Sequence, residues 1–332
     1  MATYSGIKGQ SVQVVSSDPS PLIPGQIWYN STSNTLKAAV QQAGPAAWTA
    51  GTDMPATRRD LAGAGESNTA ALAFGGSPSG ATTFSYNGST WTSGGSMSAA
   101  RSKLTGTGTN TAALAFGGSS NSDCTESYNG TSWTTGGALG TARYGLGGAG
   151  TNTAALAFGG KTTGPGADAT VCTESYNGTS WTSGGAMGYA RYNVTGVGVS
   201  NTAALVFGGF RSLACPSPNG RLALTESYNG SVWTAGGSIS EGKQNMGGAG
   251  TNTAALAFGG VRFEDLSTTE IYNGSTWTIG SAMGSARYSL GSAGRTNTSA
   301  LAFGGVKNYS RVSCTESYGA GLTTCTKTLT IS

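Results

Sequence analysis

Short apolar runs recur along this chain, each four or five residues long and bounded by Gly, Ser, Thr and Asn. Ala-Leu-Ala-Phe-Gly-Gly or a near copy places its Leu at 72, 114, 156, 205, 256 and 301, so the spacings are 42, 42, 49, 51 and 45. Runs this short between turn formers read as strands, because a helix would need apolar positions three and four apart over a longer stretch. Residues 133–181 show the unit. A Gly-rich first strand follows Arg143, and a second spans 154–158 after a Thr-Asn-Thr reversal. A third strand ends at Tyr176, Asn177-Gly178 predicts a tight hairpin needing positive φ, and a fourth strand carries Trp181.

Four strands repeated every 42 to 51 residues match the blade of a propeller rather than a helical solenoid. Small residues in the first two strands suit crowding at a central axis, while Tyr and Trp on the outer strands supply bulk between sheets. Part of the frame is invariant in length. Ten positions separate Trp48 from Arg58, and the same interval joins Trp91 to Arg101, Trp133 to Arg143, Trp181 to Arg191, Trp233 to Lys243 and Trp277 to Arg287.

Gly-Gly, then Tyr, then Trp, then an apolar residue and Arg resembles the kelch repeat over residues 46–322. The resemblance implies an all-β, six-bladed kelch-like β-propeller. The chain departs from the pattern in its five-residue Tyr-to-Trp spacing, its Gly-rich first strand and Lys243 in place of Arg. Trp48 precedes the first Gly-Gly, and the last repeat (Glu316-Ser-Tyr-Gly-Ala-Gly-Leu322) lacks its Trp. The N-terminal Trp48 strand is therefore expected to complete the blade begun by 287–318, closing the ring and removing sheet edges. Seven blades with a composite terminal blade are the alternative, drawing on 26–30 and 35–40. The ten residues after Leu322 leave no room for its inner strand.

In this strand order the connections from strand two to three and from four to one share a face. That face carries the variation, at 77–83, 119–123, 161–171, 210–224, 261–268 and 306–313. Loops on a rigid scaffold are where recognition usually resides, and Arg with aromatics is a common hot-spot makeup. The candidate ligand-binding residues are Lys161, Phe210, Arg211, Arg221, Arg262, Phe263, Lys307, Tyr309 and Arg311. The framed basic residues recur with Glu126, Glu174, Glu226, Glu270 and Glu316, a periodicity of both signs that predicts structural pairs. Phe84 occupies the Glu slot of the first repeat and leaves one cation without its carboxylate.

The chain has no His, which removes the usual general base and the commonest metal ligand. A copper-radical oxidase on such a scaffold would need His ligands. Ser85-Tyr-Asn-Gly-Ser-Thr-Trp91 is only superficially similar to the Asp-box of sialidases, because Asn stands for Asp and the Gly is displaced. Asp123, Asp168, Glu264 and Asp265 form no persuasive pair for glycoside hydrolysis. No catalytic residue, cofactor or metal is expected. The Asn-x-Ser/Thr sites at 87, 129, 177, 229 and 273 are each accounted for by turns.

Gly makes up 56 of 332 residues, but the regular Trp, Tyr, Phe and Leu argue against disorder. A net charge of +4 favours neither nucleic acid nor a polybasic membrane contact. No secretory leader and no membrane-spanning run is expected. There are five Cys. Cys124, Cys172 and Cys314 fill one repeat slot, where small buried thiols are expected; Cys314 and Cys325 could face each other across a terminal hairpin.

Residues 1–45 differ from the array and read as a docking segment, with 323–332 as a terminal strand or tail. Asp18-Pro-Ser-Pro-Leu-Ile-Pro24 is an extended linker. Pro24-Gly-Gln-Ile-Trp-Tyr-Asn-Ser-Thr-Ser-Asn-Thr-Leu-Lys37 resembles a short hairpin of bacteriophage tail and fibre proteins. Together these resemblances imply a non-enzymatic virion protein that is made in the host cytoplasm. Its N-terminal segment would attach to other virion proteins, and its loops would bind a host surface glycan or protein. A purely architectural subunit of a lattice or filament is one alternative, and a carbohydrate-active enzyme a second.

Overall fold

The computed structural model describes residues 12–78, 80–119, 122–162, 168–211 and 220–329, and among these there is no helix. The chain forms two compact units, one of Ala47–Gly319 and one of Met1–Ala46 with Ala320–Ser332.

In the larger unit each repeat folds as one antiparallel sheet. The first comprises Ala62–Ser67, Ala70–Phe74, Thr83–Tyr86 and Trp91–Ser93, in that order from inner to outer strand. Four more sheets repeat this order, ending with Trp277–Ile279. In the sixth, Gly291–Thr296, Ser299–Phe303 and Thr315–Thr328 are followed by Thr35–Ala50, the strand carrying Trp48. In the third sheet the first two strands are buried at every residue and the third at all but Ser175. Leu156 faces Ser175 across the second and third strands of one sheet, and Tyr176 faces Trp181 across the third and fourth.

One indole contact repeats between neighbouring sheets. Trp133, Trp181, Trp233 and Trp277 donate Nε1–H to the hydroxyls of Thr83, Thr125, Thr173 and Thr225 in the preceding sheet, at 2.9, 2.9, 2.9 and 3.0 Å. Trp48 donates to Thr269 at 2.9 Å and Trp91 to Thr315 at 3.1 Å, so the series of sheets is joined end to end. Each ring also packs on the Phe of the preceding sheet, as Trp181 does on Phe116 with centroids 4.9 Å apart. Large aromatic side chains thus fill the wedge between sheets, as the sequence leads one to expect. At the inner edge the space vanishes. A Cβ on Gly63 would lie 2.1 Å from the Ser292 carbonyl oxygen, so neighbouring first strands meet backbone to backbone.

The alternation of framed cations and Glu resolves into buried pairs. Arg101–Glu126, Arg143–Glu174, Lys243–Glu270 and Arg287–Glu316 are separated by 2.8, 3.0, 2.6 and 3.3 Å, and Arg191 pairs with Glu226. Burial pushes the guanidinium of Arg191 below its ordinary range, and Glu226 opposes that shift.

Two expectations are corrected. Cys124 and Cys172 are exposed and Cys314 is half-buried, because their slot lies just outside the third strand, beyond the buried Thr that starts it. Cys314 and Cys325 are both free; Cys215 lies outside the described residues. The Asn-Gly segment is not a two-residue turn. Tyr176 and Trp181 close a four-residue loop in which the Asn177 carboxamide oxygen accepts from the amides of Thr179 and Ser180 at 2.9 and 2.9 Å. Only Gly178 takes positive φ there, at +94°.

In the smaller unit, Gln13–Val15 runs parallel to Ile27–Asn30, which forms the expected hairpin with the start of Thr35–Ala50. Asp18 ties it together. Its carboxylate accepts from Trp28 Nε1 at 3.0 Å, Asn30 Nδ2 at 2.7 Å and Lys37 Nζ at 2.8 Å. These bonds hold the Asp18 carboxyl down at about 2, with the Lys37 hydrogen bond the largest cause.

Candidate binding face

All six variable connections leave the scaffold in the same way. The residue after each framed cation pairs with the residue after each Gly-Gly. Arg59 bridges Ser77, Tyr144 pairs with Lys161, Tyr192 bridges Phe210, Gln244 bridges Val261 and Tyr288 bridges Val306. In the second sheet the Ser119 amide donates to the Ser102 carbonyl at 2.7 Å. The turn into each pair uses the paired glycines, with φ of +69° and +90° at Gly75 and Gly76. A Cβ on Gly76 would meet the Arg59 carbonyl oxygen at 2.8 Å, so no other residue fits without displacement. Insertions therefore begin from a fixed base whatever their length.

Inside these ties lies the mouth of an axial cavity of about 180 Å³, lined by the first strands. Asp60, Lys103, Gly145, Asn193, Asn245 and Ser289 ring this mouth with φ of 55°, 55°, 61°, 51°, 57° and 51°. Their backbones join neighbour to neighbour. The amides of Lys103, Gly145, Asn245, Ser289 and Asp60 donate to the carbonyls of Asp60, Lys103, Asn193, Asn245 and Ser289 at 2.8, 2.9, 3.2, 2.9 and 2.9 Å.

The candidate residues form two groups. In the third and fourth sheets, Lys161 lies with its ammonium 5.4 Å from the centre of the Tyr192 ring, and Phe210 meets the same ring edge-on at 5.5 Å. Arg211 and Arg221 flank Phe210, the former through its amide on the Gly220 carbonyl at 2.8 Å, the latter by a bridge to Phe210 itself. The rest of that connection, 212–219, lies outside the described residues, as does 163–167 beside Lys161.

In the fifth and sixth sheets, Arg262 lies over Phe263 at 5.1 Å and pairs with Glu241 at 2.7 Å. Lys307, Tyr309 and Arg311 sit on a hairpin of Val306–Lys307 with Ser310–Arg311, whose tip residues Asn308 and Tyr309 have φ of 48° and 64°. The Asn308 amide donates to the Asp265 carboxylate at 2.7 Å, joining the two connections. Phe263 and Tyr309 are 70% and 97% exposed.

Sequence reasoning missed Lys103, Tyr144, Tyr192 and Tyr288. The signal was available, because the slot after the framed cation reads Arg59, Ser102, Tyr144, Tyr192, Gln244 and Tyr288 within an otherwise uniform frame. Burial pushes the Tyr192 and Tyr288 phenols up, with Lys161 opposing the shift at Tyr192, so both remain neutral donors. Among the described residues no cluster of Cys, Asp and Glu is placed to hold a metal. The acids of interest serve the backbone, Asp168 accepting from the Ala169 amide at 2.7 Å and Asp265 from Asn308.

No family model matches the sequence, and no curated protein is similar to it. Among solved structures, YjhT, a kelch-type β-propeller, superposes with a TM-score of 0.64 at 14% identity, over 80% of this chain and 95% of its own. The fold is an all-β propeller. In that fold the paired Tyr and Trp lie between blades, and the Gly-Gly turns open onto the face with the axial mouth.

Proposed function

We propose that the chain is a non-enzymatic adhesion and structural protein of a bacteriophage particle. Its propeller loops contact a host surface glycan or protein, and its N-terminal segment attaches it to other virion proteins. The observation that carries this reading is the set of six alike backbone ties from which connections of unlike length and sequence rise on one face. Such an arrangement separates a constant frame from an exchangeable contact surface. Exposed Val14 and Ile23 in the smaller unit, 66% and 62% accessible, support its role in attachment.

Retention of the labelled protein by intact cells across a panel of bacterial strains tests the adhesive role. Retention by some strains, lost on combined Phe263→Ala, Tyr309→Ala, Phe210→Ala and Arg221→Ala substitution, is the expected result. Equal retention of that variant would overturn the assignment to this face, and retention by no strain would overturn the adhesive role. Shortening of a retained polysaccharide during the incubation would mark an enzyme instead.

A further inference from the structure

On the third and fourth blades, three rings stand in an edge-to-face row. Tyr144 meets Tyr192 at 6.4 Å and 74°, and Tyr192 meets Phe210 at 5.5 Å and 67°. Lys103 lies with its ammonium 5.3 Å from the Tyr144 centroid, as Lys161 lies over Tyr192. Some surface cations have carboxylates, namely Lys37 with Asp18, Arg59 with Asp60 and Arg262 with Glu241. Lys103 and Lys161 lie within ion-pair distance of no carboxylate among the described residues. Arg211 and Arg221 add positive charge from the same connection, against Asp168 alone on the neighbouring segment. The acid nearest Lys103 along the mouth is Asp60, which faces Arg59.

We infer that this sector is a binding site for an anionic glycan, a deeper form of the adhesive reading on which it rests. The apolar C–H faces of the sugar rings would pack against Tyr144, Tyr192 and Phe210, whose polarity suits ligands with one dry and one wet side. Carboxylate or sulfate groups would take the two ammoniums, which the ring faces hold in place but do not neutralise. A neutral glycan would leave that charge without a partner, so the chemistry selects for acidity.

Titration of the whole protein with polygalacturonate, dextran sulfate and dextran at physiological salt tests this. The first polymer supplies carboxylate, the second sulfate, and the third neither. Binding to at least one charged polymer and not to dextran is expected, and the responding arm identifies the acid. Lys161→Ala, Lys103→Ala and Tyr192→Leu should each weaken it by about tenfold or more. Lys327→Ala, which removes an exposed cation of the smaller unit, should leave it unchanged. Unfolding midpoints of the Lys variants matching wild type would show that they fold.

Equal binding to dextran, or equal loss from Lys327→Ala, would overturn the inference, the latter by revealing diffuse attraction. Cells retained without any binding to the charged polymers would sink this site while leaving the adhesive role standing. Loss of both would remove the two together.

Discussion

The guanidinium of Arg58 lies 4.8 Å from the centre of the Phe84 ring, where five other sheets place a carboxylate. A second change accompanies it. The Glu side chains also accept from the backbone amides of Ser98, Gly140, Gly188, Ser240 and Gly284, at 2.8, 2.6, 2.6, 2.8 and 2.6 Å. The equivalent position in the first blade is Pro55, which has no N–H to give. Acceptor and donor are lost together; Arg58 keeps the carbonyl bonds its counterparts also make, to Gly75 and Thr82 at 3.1 and 3.1 Å, and gives its other amino group to the Thr82 hydroxyl.

Removing the cation should therefore cost less in the first blade than elsewhere. Arg191→Met strands the buried Glu226 carboxylate and should cost about 3–5 kcal/mol. Arg58→Met leaves only uncharged acceptors, two carbonyls and the Thr82 hydroxyl, without their donor and should cost about 1–3 kcal/mol. Denaturant unfolding of the two variants against wild type measures both. Equal losses would mean that Glu226 gains nothing from its partner.

Restoring the common arrangement needs both changes. Phe84→Glu alone buries a carboxylate with one oxygen unserved and should destabilise. Pro55→Ser with Phe84→Glu should recover part of that loss, with a coupling of about 0.5–3 kcal/mol in a double-mutant cycle. Additive effects would show that the amide is irrelevant to the pair.

The indole bonds predict a gradation around the ring. Thr125→Val leaves Trp181 Nε1–H without its acceptor and should cost about 1–3 kcal/mol. Thr315→Val should cost less, because Trp91 also reaches the Thr52 carbonyl at 3.1 Å. Chemical-denaturation midpoints check the order, and a larger loss from Thr315→Val would contradict it.

Asp18 gives the N-terminal unit a pH limit. Its folded value of about 2 lies below the ordinary 3.8, so the stabilisation is complete above that ordinary value and is lost as pH falls through about 2. Hydrogen exchange at the Trp28 indole should stay slow at pH 5 and quicken in acid. Asp18→Asn should remove that acid step.

Cys124 and Cys172, being exposed and free, should react with maleimide in the native protein, ahead of the half-buried Cys314 and Cys325. Mass spectrometry of the labelled peptides reads the order. Protection of the first pair would contradict the exposed slot.

Much of this was legible before any coordinates, because the repeat compares six copies within one chain. Leu156, Tyr176 and Trp181 announced strands by period and the ion pairs by matched recurrence of Arg191 and Glu226. What escaped were features that depend on backbone path. Gly65, Gly198 and Gly294 begin bulges that add Glu66, Val199 and Arg295 to three first strands, and Arg295 reaches the Val199 carbonyl at 3.1 Å. One added residue in a turn hardly disturbs a sequence pattern, yet it sends a side chain 96 positions away. The binding face was found in part for the same reason. Phe210 and Phe263 stand out in unlike inserts, whereas Tyr144 and Tyr192 sit one step inside the uniform frame, where their neighbours conceal them.

Five main-chain bonds hold the circle of left-handed residues from Asp60 to Ser289, so its bore depends little on which side chains it carries. An acid, a base, two amides, a hydroxyl and a glycine already share it. Outside Gly145, where a Cβ would meet Asn193 Oδ1 at 2.6 Å, the aperture can thus be re-dressed by residues that tolerate positive φ with no change in its diameter.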